Sequence, residues 1–305
     1  MSMRSDGRRA IILAGGDGTR LRELTRRIVG YDVPKQFCPL FGDASMLERT
    51  RSRVALAIPP KQTLIVVTKT HQSFYASLLA EVPSCRIVVQ PRNRGTAAAI
   101  LYALFRSLIA APTASVAIFP SDHYVADDAA FMRQVDLAFD GVRARPDLLV
   151  LLGITPHGPE TGHSWIEMDE RIVQYFQLFR VKRFWQESSP EVAERLWRSG
   201  CLWNSFVMVG RISAALDLFM RALPELYASF VSIKSEIGAT SEAQALERAY
   251  ADIPSVNLSE EVLAHSPEQL TVLPVTGVRW SNLGEPERLI AVLRGTGLQL
   301  GRHRK

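Results

Sequence analysis

A glycine-rich stretch near the N-terminus, LAGGDGTRL, combines residue types that suit the binding of a phosphate group. Gly15, Gly16 and Gly18 have no side chains, so their backbone N–H groups can approach an anion closely. Arg20 follows with a guanidinium fork that matches phosphate oxygens. The stretch lacks both the GK[ST] ending of a Walker loop and the spacing of GxGxxG, and a plain tight turn is the alternative interpretation.

Further polar segments lie at residues 33–37 (VPKQF), 90–97 (QPRNRGTA) and 120–123 (PSDH). The second and third directly follow apolar runs that predict strands, as the glycine-rich stretch does. Because ligands bind at the carboxyl ends of the strands in α/β proteins, we expect these strand-end segments to line one edge of a sheet.

The elements that would position these segments alternate along the first half of the chain. Ser45 and Glu48 form a capping-box signature, and helical patterns cover residues 71–79 and 96–109. Near-continuous apolar strands separated by helices indicate an α/β fold with a parallel sheet covered on both faces. The predicted strands are residues 10–14, 64–67, 87–89, 116–119 and 148–152.

The pattern changes after about residue 160. Partial alternation over residues 175–184 predicts an added half-exposed strand, and residues 206–209 predict a short one. Helical patterns cover 211–250, and a last helix is predicted near Glu285. No repeat or linker is visible, so we expect one domain over 1–305. Its two lobes would cover about residues 8–125 and 126–300.

Composition narrows the class of protein. The 305 residues are 47% hydrophobic and 22% charged, which excludes a disordered or fibrous chain. No apolar run approaches the roughly 18 residues of a membrane span, and the N-terminal one stops at Gly15, too early for an export signal. The three cysteines form no CxxC pair. We therefore expect a cytoplasmic protein that does not act at a membrane.

The net charge of +5 comes from 36 basic and 31 acidic residues. Part of the basic excess lies at the two ends of the chain, and aromatic residues do not alternate with basic ones as a base-stacking surface requires. We therefore expect no nucleic-acid partner.

Taken in order, these motifs resemble those of the sugar-1-phosphate nucleotidyltransferases, most closely the mannose-1-phosphate guanylyltransferase branch. The PKQF segment, the Arg-x-Thr-Ala block at 94–97 and the Asp-His pair at 122–123 favour that branch. The resemblance covers about residues 8–290 and implies a Rossmann-like, mixed and mostly parallel sheet flanked by helices, with a nucleotide-binding lobe over about 8–125 and a sugar-phosphate-binding lobe over about 126–300. Many relatives carry a further C-terminal β-helix domain, which we do not expect here because the sequence ends soon after its last predicted helix. Later matches follow at residues 161–162, 165–167, 203–205 and 280–284.

The resemblance implies a Mg²⁺-dependent reaction in which an NTP, with GTP favoured, and a sugar 1-phosphate, with mannose 1-phosphate favoured, give an NDP-sugar and pyrophosphate. It assigns catalysis to Arg20, Lys35 and Asp122, and metal binding to Asp122 and Asn282. It assigns sugar binding to Gly162, Glu167 and Asn204. A homodimer is a further expectation. The implied nucleotide-binding residues are Ala14, Gly15, Gly16, Gly18, Thr19, Arg20, Gln90, Arg94, Gly95 and Thr96.

Each catalytic assignment has a simpler alternative. Arg20 could be a surface arginine at the start of a helix, and Lys35 a solvated lysine after a proline. Asp122 could be a helix N-cap or turn residue. His123 is interpreted as structural, because attack by a sugar phosphate requires no proton removal at neutral pH.

Departures from the family pattern concentrate in the second half. Asn282 stands where an aspartate is usual, and Glu187 where a lysine is usual. Ser164 and Phe206 replace glycines, and Glu23 replaces a proline. Three hypotheses remain open: an active guanylyltransferase or near relative, a nucleotidyltransferase for another phosphorylated acceptor, and a catalytically weak nucleotide-binding paralogue that regulates a partner.

Overall fold

The structure, a computed structural model, describes residues 7–173, 177–186 and 188–297. Glu187 and positions 175–176 of the predicted added strand lie outside the described residues. The strands are β1 (Arg8–Leu13), β2 (Thr63–Thr68), β3 (Ile87–Gln90), β4 (Ser115–Pro120), β5 (Tyr124–Val125), β6 (Leu149–Ile154), β7 (Trp165–Val173), β8 (Leu178–Trp185), β9 (Leu202–Arg211), β10 (Leu270–Val275) and β11 (Trp280–Ser281).

Helices connect most of these strands, and no helix within the described ranges is long and apolar enough to cross a membrane. The helices are α1 (Arg22–Val29), α2 (Met46–Ala55), α3 (Gln72–Tyr75), α4 (Gly95–Ala110), α5 (Asp128–Ala144), α6 (Pro190–Arg198), α7 (Ile212–Ala222), α8 (Pro224–Ser232), α9 (Glu242–Asp252), α10 (Leu258–Glu261) and α11 (Pro286–Thr296).

Nine of the described strands form one sheet in the order β3-β2-β1-β4-β9-β6-β10-β8-β7, and β5 pairs separately with β11. β1 pairs in parallel with β2 and β4, and β2 pairs in parallel with β3. β9 runs antiparallel between β4 and β6, and β10 is parallel to β6. β8 runs antiparallel to both β10 and β7. Seven of the nine strands therefore point in one direction and β8 and β9 in the other, so the sheet is mixed and the predicted α/β class is confirmed.

The hydrophobic core has two layers, one on each face of the sheet. Adjacent residues of β1 show the division: Ile12 packs into the layer with α2 and α5, and Ile11 into the layer with α4 and α7. This follows from the alternation of side chains along a strand. Helices thus cover both faces, and the loops that carry the sequence motifs lie at the sheet edge.

Most element predictions of the first half are confirmed, including the capping box. Ser45 N donates to Glu48 Oε2 at 2.8 Å, and Glu48 N donates to Ser45 Oγ at 3.2 Å. The helix predicted over 71–79 is wrong in length, since α3 is one turn and the chain continues in turns to residue 82. Aromatic and serine side chains in that run have modest helix propensity.

The second half differs more from expectation. The strand predicted at 206–209 is the end of the longer β9, which lies in the middle of the sheet. β10 was not predicted, because Pro274 within its apolar run argues against a strand. In the sheet, Pro274 lies opposite Gly153 of β6. The helices predicted over 211–250 and near Glu285 are confirmed as α7 to α9 and α11.

Candidate active site

The glycine-rich loop after β1 is fixed by hydrogen bonds to its carbonyl groups. Gln36 Nε2 donates to Ala14 O at 3.0 Å and to Gly16 O at 2.7 Å, and Thr68 Oγ1 donates to Gly15 O at 2.9 Å. In a trans peptide the next N–H points away from the preceding carbonyl. The N–H groups of residues 15–17 are therefore directed away from these donors, as an anion-binding loop requires.

Steric constraints explain why residues 15 and 18 are glycines. A Cβ on Gly15 would lie 2.7 Å from Gln90 Nε2, and a Cβ on Gly18 would lie 2.8 Å from Lys35 N. Gly18 also has a left-handed φ of +59°, which favours glycine. A Cβ on Gly16 would meet nothing within 4 Å, so Gly16 borders open space.

A cavity of about 330 Å³ opens above this loop and joins several of the predicted site residues. The predicted residues among its walls are Gly15, Gly16, Gly18, Gln90, Gly95, Thr96 and Asp122. Gln36, Asn93 and Phe206 also line it; none of them was assigned to the site from the sequence, where Phe206 was noted only as a departure from the family pattern. Gln36 could have been recognised from the sequence, because it belongs to the PKQF segment.

The remaining predicted nucleotide-binding residues have other contacts. Arg94 donates from Nε to Tyr250 O and from Nη2 to Ala251 O, each at 3.2 Å, so its guanidinium lies against the end of α9. Thr96 Oγ1 accepts from Leu258 N at 2.9 Å. Arg20 is 74% exposed, with Nη1 3.4 Å from Glu285 Oε1. Ala14 is buried behind the loop, and Thr19 is exposed.

Asp17 connects the glycine-rich loop to the loop after β3. Its Oδ2 accepts from Asn93 Nδ2 at 2.9 Å, and its Oδ1 lies 3.2 Å from His71 Nε2. Burial lowers the pKa of His71, and the nearby Asp17 charge only partly offsets that effect. The two loops on either side of the cavity are therefore joined.

Lys35 joins three segments of the chain beside the cavity. Its ammonium lies 3.0 Å from Asp122 Oδ2 and donates to Asn282 O at 2.8 Å and Leu283 O at 3.1 Å. The Lys35 side chain is only 9% exposed, so the interpretation as a solvated lysine is wrong. Burial is the largest single effect and would raise the pKa of Asp122, but the charge and hydrogen bond of Lys35, the nearby His123 and a backbone hydrogen bond together hold that pKa below its ordinary value.

The side chain of Asn282 forms hydrogen bonds, as its backbone carbonyl does. Oδ1 accepts from Arg288 Nη1 at 2.8 Å and from Gly284 N at 3.0 Å, and Nδ2 lies 3.1 Å from His163 Nδ1. Arg288 also donates to Gly162 O at 3.2 Å. Arg288 was not among the predicted residues, because an arginine in a C-terminal helix has no motif that marks it.

Histidine and tryptophan rings pack together at this site, and His123 also lines the cavity. His123 lies edge-on to Trp280 at 5.2 Å, and His163 lies 5.3 Å from Trp280 and 4.6 Å from Trp203. Burial lowers the pKa of His123 to about 4 and that of His163 to about 3. Both imidazoles are therefore neutral at neutral pH.

On the predicted sugar side, Asn204 N donates to Ser164 O at 2.8 Å, and Ser164 Oγ donates to Gln186 Oε1 at 2.8 Å. Glu167 lies three residues further along β7, about 10 Å from Ser164 at the usual rise of a strand. Its carboxylate accepts from Lys182 Nζ at 2.7 Å and from Trp185 Nε1 at 3.2 Å. The structure thus joins Asn204 to Ser164 and Gln186, and it does not bring Glu167 to them.

The donors available for a metal are few. No group of three or more His, Cys, Asp or Glu side chains in the described part of the chain is arranged to hold an ion. The Asp122 side chain is 33% exposed, and its ionised carboxylate suits a hard cation such as Mg²⁺. Asn282 Oδ1 fits less well, because the Arg288 and Gly284 hydrogen bonds already use it.

Comparison with known proteins places this chain in a family. A nucleotidyl transferase family model matches residues 9–294. Xanthan biosynthesis protein XanB from Xanthomonas campestris pv. campestris is 30% identical, over 94% of this chain and 60% of XanB. Mannose-1-phosphate guanylyltransferase RfbM from Salmonella typhimurium is 28% identical, over 90% of this chain and 56% of RfbM. The chain thus spans little more than half the length of these curated relatives.

Solved structures are also similar to this chain. A mannose-1-phosphate geranyltransferase from Thermus thermophilus is 27% identical with a TM-score of 0.80, over 93% of this chain and 79% of that one. A mannose-6-phosphate isomerase from Helicobacter pylori, 20% identical with a TM-score of 0.69, shares the fold. The family resemblance drawn from the sequence is confirmed. The chain belongs to the nucleotidyl transferase family.

Proposed function

We propose that the chain transfers a nucleotidyl group from an NTP, with GTP favoured, to a sugar 1-phosphate, with mannose 1-phosphate favoured, and releases pyrophosphate. The observation that carries this proposal is the buried Lys35–Asp122 pair beside the cavity of the glycine-rich loop. Joining two phosphates requires positive charge to offset theirs, which Lys35 would supply, and a ligand for a divalent cation, which Asp122 would supply. The names of the relatives, guanylyltransferases among them, support the choice of base and sugar.

In this proposal the glycine-rich loop binds the nucleotide through the N–H groups of residues 15–17. Gln90 and Thr96 line the same cavity, and the base and ribose would lie beside them. Arg20, which is exposed and bound weakly to Glu285, would turn to the triphosphate. Lys35 would offset the charge that develops at the α-phosphate.

The acceptor phosphate attacks the α-phosphorus in line and needs no general base, because it is already ionised at neutral pH. This agrees with the neutral, buried state of His123. Asn204 and the backbone of Gly162 would position the sugar. Glu167 would take part only if it exchanged its bonds to Lys182 and Trp185.

Asp122 would hold Mg²⁺, with phosphate oxygens as further ligands. The bound metal would supply charge neutralisation on the triphosphate. Asn282 is proposed as a second, weaker ligand, and it would have to release Arg288 to act as one.

Pyrophosphate release by the purified protein tests this proposal, with a panel of NTPs and sugar 1-phosphates in the presence of Mg²⁺. Release with GTP and mannose 1-phosphate, abolished by Asp122→Asn, is the expected result. Release with another pair would keep the chemistry and change the acceptor. If no pair of substrates releases pyrophosphate while calorimetry still detects GTP binding, the hypothesis of a nucleotide-binding regulatory paralogue is favoured.

A further inference from the structure

Phe206 has an unusual backbone conformation. Its φ is +61°, in the left-handed region that L-residues other than Asn and Asp rarely occupy. Neighbouring side chains hold it there: Phe206 N donates to Asn204 Oδ1 at 3.0 Å, and Val207 N donates to Ser205 Oγ at 3.1 Å. Such outliers persist only where the surroundings fix them, and they concentrate at functional sites.

The sheet order locates Phe206 at one end of the cleft. Gln90 ends β3, whereas Phe206 lies in β9, which is four strands away across β2, β1 and β4. At the usual strand spacing this separates the two residues by roughly 19 Å. Phe206 lies two residues beyond the Met208–Ile118 pair, at the level where β4 ends and the Asp122 segment begins. Phe206 is therefore on the acceptor side of Asp122, opposite the end proposed for the base.

The ring gives that end of the cleft an apolar surface beside Asp122. Phe206 is half-buried against the core layer of α4 and α7, and it lines the same cavity as Asp122. The ring has no hydrogen-bonding group, and the nearby Asn204 Oδ1 already accepts from the Phe206 backbone. A sugar hydroxyl that faced this ring would lose its hydrogen bonds to water without gaining a partner.

We propose that Phe206 determines acceptor specificity by selecting a sugar 1-phosphate that lacks a hydroxyl on the face meeting the ring. The inference rests on the proposed function, and it replaces mannose 1-phosphate, the acceptor named there, with a deoxy sugar 1-phosphate at the same site. Apolar pockets discriminate against an added hydroxyl by up to about 100-fold, which sets the scale of the effect.

Equilibrium binding tests the proposal without turnover. Wild type and Phe206→Gly are each saturated with a GTP analogue that has a methylene between the α- and β-phosphates. Mannose 1-phosphate and its series of monodeoxy analogues are then titrated by calorimetry. Wild type should bind at least one deoxy analogue about tenfold or more tighter than mannose 1-phosphate, and Phe206→Gly should bind the two about equally.

Two further variants separate the ring from the backbone. Phe206→Asn tolerates the left-handed conformation and removes the ring, so it should behave as Phe206→Gly does. Gln177→Gly relieves the same kind of backbone conformation, φ +51°, at the start of β8, outside the residues that line the cavity. Its acceptor preference should equal that of wild type.

An unchanged order of acceptors in Phe206→Gly would overturn the proposal, as would a change in Phe206→Gly that Phe206→Asn does not share. Failure of every acceptor to bind while the GTP analogue binds would also overturn it. If the acceptors bind in the expected order but GTP yields no pyrophosphate, the transfer reaction is wrong and the role of Phe206 in binding stands.

Discussion

The ammonium of Lys35 lies 3.0 Å from Asp122 Oδ2 while it donates to the carbonyls of Asn282 and Leu283. One buried cation thus joins the segment after the glycine-rich loop, the end of β4 and the segment after β11. The three protons of the ammonium match these three acceptors. Lys35 therefore fixes the site and also provides its central positive charge.

Lys35→Met should damage both stability and activity. Removing one partner leaves three acceptors at a poorly solvated position, and we expect a loss of about 2–3 kcal/mol in the free energy of unfolding. Urea unfolding measures this, and pyrophosphate release should fall at least about 100-fold. The matched control is Lys69→Met, which removes an exposed ion pair with Glu247 and should cost less than about 1 kcal/mol. Equal losses in the two variants would contradict this account.

Alanine substitutions at Gly18 and Gly16 should have different effects on stability, because the two residues have different surroundings. Gly18→Ala introduces a Cβ 2.8 Å from Lys35 N at a left-handed residue, so it should lower the free energy of unfolding by about 1–3 kcal/mol. Gly16→Ala meets open space and should leave the melting temperature close to that of wild type. Because Gly16 lines the cavity, it should still weaken GTP binding in calorimetry. Normal affinity in Gly16→Ala would mean that the loop is only a turn.

Stability should decrease as the pH falls below neutrality. The folded pKa values of about 4 for His123 and about 3 for His163 lie below the unfolded value, so the unfolded chain binds protons that the native one does not. The free energy of unfolding should therefore fall by about 1.4 kcal/mol per pH unit for each group, from near pH 6.5 towards pH 4.

Urea unfolding from pH 7 to pH 4.5 measures this slope. His163→Gln should remove about half of the slope that His123 and His163 produce together, because only one of the two imidazoles remains. His265→Gln, at an exposed position, should leave the slope unchanged. A slope that is the same in all three proteins would show that the buried imidazoles do not control acid stability.

Asn282→Asp should not by itself create a strong metal site. The new carboxylate would lie beside Arg288, whose Nη1 is 2.8 Å from Oδ1, and the resulting ion pair would compete with a dication. Mn²⁺ binding, followed by electron paramagnetic resonance, should tighten by less than about threefold in Asn282→Asp. It should tighten by about tenfold or more in Asn282→Asp combined with Arg288→Met. Tight binding in the single variant would mean that Arg288 does not restrict this position.

The sequence predicted the parts of the fold that depend on local pattern. Apolar runs identified β1 to β4, and the carboxyl-end rule correctly brought Gly16, Gln90 and Asp122 to one edge. The insertion of β9 between β4 and β6 could not be predicted, because it depends on pairing between distant segments. For the same reason, nothing local marks Arg288 as a partner of Asn282.

Some motif residues have roles that a motif cannot distinguish. Arg94 matches the family block, yet its guanidinium binds the carbonyls at the end of α9. Gln36 lies in a matched segment and proves to fix the glycine-rich loop. A side chain's direction depends on tertiary packing, which the linear pattern does not contain.

Transfer of label from GTP marked at the α-phosphate is the most direct test of the central claim. With mannose 1-phosphate and Mg²⁺, the label should pass to a nucleotide sugar in equal amount to the pyrophosphate released, and Asp122→Asn should form none. Label that stays in GTP, or is released as GMP without joining the sugar phosphate, would contradict the proposed transfer reaction.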